Sequence, residues 1–87
     1  EYSSYGTSDK TKLFGYIDTY AKHLEKVIRH RHPSLSDTQI TSIMTDAKNK
    51  VKYSDLPKPN ENGIYSIDDT LAKLEELVLK YADEYTK

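Results

Sequence analysis

Apolar positions recur along this chain in steps of three and four, the spacing that returns side chains to one face of an α-helix. Leu13, Ile17, Tyr20, Leu24, Val27 and Arg31 follow that step, and Phe14, Ala21 and Ile28 widen the stripe. Ser8 and Asp9 offer an N-cap and a first-turn negative charge. Pro33 cannot continue a helix and disfavours helical dihedrals at His32. A first helix is therefore predicted over 9–31. Gly15 inside it costs about 1 kcal/mol relative to alanine, which points to a close helix contact or a looser first turn.

The second start signal is the clearest local feature. Ser36 stands three residues before Gln39 as a capping box, and Leu35 and Ile40 are spaced as a hydrophobic staple. A helix is predicted from Asp37 to about Val51, with Ile40, Ile43, Met44, Ala47 and Val51 as its stripe. The short connection from the first helix folds the two back on each other. Residues 53–65 hold two prolines, a glycine and two asparagines with no helical period. They read as a long loop, yet Tyr53, Leu56, Ile64 and Tyr65 make it too apolar for a free linker, so it should lie on the helices. Ser66 then caps a third helix with Asp68 and Asp69 in its first turn and a stripe of Ile67, Leu71, Leu74, Val78, Tyr81 and Tyr85.

No segment alternates as a half-buried strand does, so the fold class is all-α, a compact three-helix bundle with a long loop between helices two and three. Its expected shared core is Leu24, Ile28, Ile43, Leu71, Leu74 and Val78. Residues 1–7, small, polar and without period, read as a flexible N-terminal segment ahead of one helical domain, 8–87. At 87 residues, a single small core is what the chain can build. The first residue is Glu1 rather than Met, so the expectation is a piece of a longer chain or a processed product.

Charge and chemistry narrow the function classes. Thirteen Lys and Arg against fourteen Asp and Glu leave a formal net charge of -1, so no global field draws the chain to nucleic acid or an anionic membrane. The halves differ. Residues 1–60 hold 10 bases and 7 acids, whereas 61–87 hold 3 bases and 7 acids, so a basic first helix and an acidic third helix are expected to attract each other. Cysteine is absent, which excludes disulfides, thiolate catalysis and Cys-ligated zinc. The longest apolar run is Leu77 to Leu79, too short for a membrane span.

Three histidines do not make a metal site by spacing, because His23 and His30 lie two helical turns apart and Asp37 is the only nearby carboxylate. Adjacent acids such as Asp68 and Asp69 diverge by about 100° on a helix and do not converge as an acid-base pair. With no nucleophile elbow, phosphate loop or calcium loop, the chain reads as non-catalytic and without cofactor or metal.

Two surfaces remain. Tyrosine supplies eight of the nine aromatic residues, and rings outside the helices, Tyr2, Tyr5, Tyr53 and Tyr65, suit an interface better than an isolated surface. Leu79 falls about 120° from the centre of the third helix's stripe and should leave the core. The first reading is therefore a small helical protein-interaction domain or accessory subunit that binds another protein or itself through Tyr53, Tyr65 and Leu79. The alternative is a nucleic-acid-binding module using Lys22, Lys26, Arg29 and Arg31 along one edge of the first helix. Against it stands the ordinary role of cations in a last turn, which the helix dipole favours without any ligand.

Overall fold

The computed structural model describes residues 6–86. Three α-helices follow in the predicted order, α1 over Lys10–Arg31, α2 over Asp37–Asn49 and α3 over Ile67–Tyr85. Each begins where a side chain can take up free backbone N–H groups. The Asp9 carboxylate accepts from the Thr11 and Lys12 amides at 2.9 and 3.4 Å, making Asp9, not Ser8, the cap of α1. At α2 both arms of the box are made: the Gln39 amide donates to Ser36 Oγ at 3.2 Å and the Ser36 amide to Gln39 Oε1 at 2.9 Å. Ser66 Oγ accepts from the Asp69 amide at 3.2 Å.

The end of α2 departs from the pattern. Instead of continuing to Val51, the helix widens after Asn49 into a π turn over Lys50–Ser54, closed by the Asp55 amide donating to the Lys50 carbonyl at 2.7 Å. Val51 stays fully buried in this turn while Tyr53 is left 74% exposed.

The helices pack up, down, up. Leu13 at the start of α1 clusters with Ile67 and Leu71 at the start of α3, and His32 just past α1 reaches Asp83 near the end of α3 at 3.6 Å. So α1 and α3 run parallel, with α2 antiparallel against both. Leu24, Ile28, Ile43, Leu74 and Val78 meet in one core with Ile17, Ile40, Val51 and Leu77. Leu71 is buried but belongs to the second cluster, with Leu13 and Ile67, because it sits a full turn nearer the start of α3. Tyr81 is only half-buried and Tyr85 is 45% exposed, while Ala82 is buried between them in sequence. Each helix touches two neighbours, so the buried arc of α3 is wider than a single stripe and takes in Leu77 and Thr70. The Thr70 hydroxyl is satisfied by the Ser66 carbonyl at 2.7 Å.

The long loop closes one end of the bundle. Asn60 organises its tip: the side-chain oxygen accepts from the amides of Asn62 and Ile64 at 2.8 and 3.0 Å, and Gly63 turns the chain at φ +77°. Thr7 and Tyr65 then exchange both backbone hydrogen bonds, at 3.0 and 2.8 Å, as an isolated antiparallel bridge. Gly6 makes that approach possible, since it stands at φ +88° and a Cβ there would lie 2.1 Å from the Tyr65 carbonyl oxygen. Gly6 and Thr7 are thus tied to the domain that was expected to start at Ser8. Residues 1–5, with Tyr2 and Tyr5, lie outside the described residues.

Candidate functional site

The seam between α1 and α3 is covered at one end and open at the other. At the open end, Ile28 is fully buried and Val27, one position earlier, turns toward the flank of α3 and is half-buried. Helical spacing puts Lys26 and His30 on one line of α1, and Val27 and Arg31 on the next. Across from them Glu75 and Leu79 form one line of α3 by the same spacing. These six residues enclose a groove of about 630 Å³. Leu79, expected to leave the core, is half-buried and packs on the core with its inner side, so its outer side lines the groove.

The charges in the groove are unevenly satisfied. Glu75 accepts a hydrogen bond from the Tyr20 hydroxyl at 3.0 Å. Among the described residues Lys26, His30 and Arg31 make no ion pair. Arg29, one position from His30, is spent elsewhere: it is paired with Asp37 and lies 3.6 Å from Glu25. The hydrogen bond to Asp37 foremost, opposed by desolvation and aided by the charges of Asp37 and Glu25, holds its guanidinium more firmly protonated than usual.

The sequence-predicted sites are distributed otherwise than expected. Tyr53 stands on the π turn with its ring edge-on to Phe14, centroids 6.0 Å apart, and Lys52 lies 5.4 Å above the Phe14 ring. Tyr65 is half-buried over the Leu13, Ile67 and Leu71 cluster, with the Lys10 ammonium 5.9 Å from its ring. Leu79 lies fourteen residues further on, roughly 20 Å along α3 at 1.5 Å per residue. Tyr53 and Tyr65 therefore share no face with Leu79. The cationic edge is also divided. Lys22 lines a separate cleft between α1 and α2 with Asp18, Glu25 and Lys48, Arg29 is paired, and Lys26 and Arg31 face the groove.

Ion pairs across the bundle compete with those available along each helix. Of the i,i+4 pairs available on the helices, Glu25 with Arg29 forms, whereas Asp18 turns to Lys52 at 2.9 Å and Lys48 at 3.9 Å. Lys50 pairs with Asp55, and Lys73 with Glu76. Among the described residues, the approach of His32 Nε2 to Asp83 Oδ1 at 3.6 Å is the acid–base contact that joins the basic 6–60 stretch to the acidic 61–86 stretch. Among the described residues, no Lys or Arg of α1 makes an ion pair with an acid of α3.

The histidines serve three unrelated surroundings. His23 stacks on Tyr20 at 5.7 Å, His30 lines the groove, and His32 joins Asp83. Among the described residues no group of three or more His, Cys, Asp or Glu is placed to hold a metal ion, and no helix is long and apolar enough to cross a membrane. Comparison with protein-family models, with curated proteins and with solved structures gave no match to this chain.

Proposed function

We propose that the chain is a small non-catalytic protein-interaction domain or accessory subunit whose docking face is the open end of the α1–α3 seam. The observation that supports this reading is the groove itself: an apolar floor of Val27 and Leu79 beside two cations, Lys26 and Arg31, that make no ion pair among the described residues. Apolar side chains half-removed from water gain from a second molecule that completes their burial, and unpaired cations at the rim give that molecule orientation. Tyr53 and Tyr65 belong to other surfaces, so Leu79 carries this reading without them.

A nucleic-acid module draws less support, because Lys22 lines the α1–α2 cleft and Arg29 is paired with Asp37, which leaves Lys26 and Arg31 at the groove. The test is capture by immobilised chain, in parallel with and without nuclease, comparing the native sequence with Leu79→Asp and with Lys26→Glu, Arg31→Glu. The charge variants alter exposed side chains and should keep full helicity by circular dichroism. The expected result is a protein held by the native chain and lost by all variants. Capture of nucleic acid with a log-log salt slope of about -0.9 per phosphate contact would overturn the reading.

A further inference from the structure

We propose that the occupant of the groove is a second copy of this chain, related by a two-fold axis, with the α3 ridge of each copy lying on the α1 wall of the other. The proposal rests on the docking reading above and names its partner. On α3, Glu75, Leu79 and Asp83 follow at intervals of four and form one line, acid, apolar, acid. On α1, Lys26 and His30 flank Val27 and Arg31, a base-lined apolar wall. Each surface is the chemical complement of the other.

Within one chain the two walls do not satisfy each other. Glu75 takes its hydrogen bond from Tyr20, Asp83 lies 3.6 Å from His32, and among the described residues Lys26 and Arg31 make no ion pair with an acid. A carboxylate offers about four acceptor directions, so Glu75 can take a guanidinium from outside while keeping Tyr20. A half-turn of a second copy brings Glu75 of each to Lys26 and Arg31 of the other, and closes Leu79 and Val27 beneath them. Such an interface is isologous, so every contact is made twice, and so is every mismatch.

Sedimentation equilibrium of the full chain tests this up to about 1 mM, the range in which a small interface associates. The native chain should form a dimer that weakens with added salt, because the rim contacts are exposed charge pairs. Arg31→Glu alone and Glu75→Arg alone should each weaken it by about tenfold or more, since each places like charges together twice. Combined, the two substitutions should recover association to within about threefold of the native chain, the signature of a direct pair. Circular dichroism of each variant establishes that the helices are intact.

A combined variant no better than the single ones would overturn the proposed pairing. A monomer at every concentration, with capture of another protein still abolished by Leu79→Asp, would overturn the second copy and leave the docking reading standing. A native dimer indifferent to Leu79, Arg31 and Glu75 alike, with capture also unaffected, would overturn both.

Discussion

The two ends of the α1–α3 seam are built from the same kind of residue and treated in opposite ways. At the start of the helices, Leu13, Ile67 and Leu71 are roofed by Leu56, Tyr16 and Tyr65, and the Thr7–Tyr65 bridge fastens the roof down. At the far end Val27 and Leu79 are equally apolar, but the chain there makes only a short turn from α1 into α2, and among the described residues no segment lies over them. The difference follows from connectivity. A long apolar loop leaves α2 at the first end, and a four-residue turn, from His32 to Leu35 before the Ser36 cap, leaves α1 at the other. An apolar seam that the chain does not cover itself is the place where another molecule gains most by covering it.

The comparison predicts a graded response to truncation. Leu74 lies fully buried between the two ends, and Leu74→Ala should cost about 2 to 5 kcal/mol in chemical denaturation. Retained native stability would place it outside the core and undo the common seam. Gly6→Ala acts on the covered end, where positive φ and the close Tyr65 carbonyl both oppose a Cβ; a loss of about 1 to 2 kcal/mol is expected. Its amide exchange should quicken at Thr7 and Tyr65 and remain slow at Ile28 and Val78. Leu79→Ala at the open end should be the mildest, about 1 kcal/mol, because only part of that side chain is out of water in the single chain. A cost for Leu79→Ala as large as that for Leu74→Ala would show the open end to be sealed already.

Much of this was legible in the chain before any coordinates. Hydroxyl and carboxylate caps at Asp9, Ser36 and Ser66 act over three residues, and a local interaction leaves a local signature. Leu79 could be singled out by its angle from the stripe, and Lys26 and Arg31 by their charge. That these three meet depends on how α1 and α3 are rotated about their own axes when packed, and neither helix encodes this alone. For the same reason Tyr53 and Tyr65, neighbours in one loop on paper, part company: the π turn at Lys50–Ser54 throws Tyr53 against Phe14, while the bridge to Thr7 draws Tyr65 over Leu13. Ion pairs show the limit again. Asp18 bonds Lys52 across the bundle, not Lys22 one turn along α1, because the end of α2 brings a cation nearer than the helix does.

The most direct test of the open end as the docking face is a dilution series of the full chain followed by amide chemical shifts residue by residue. The account predicts concentration-dependent shifts confined to Lys26, Val27, His30 and Arg31 on α1 and to Glu75, Leu79 and Asp83 on α3, with Thr7, Tyr53 and Tyr65 unmoved. Shifts centred on Tyr53, Phe14 or Tyr65, with the groove residues silent, would contradict it.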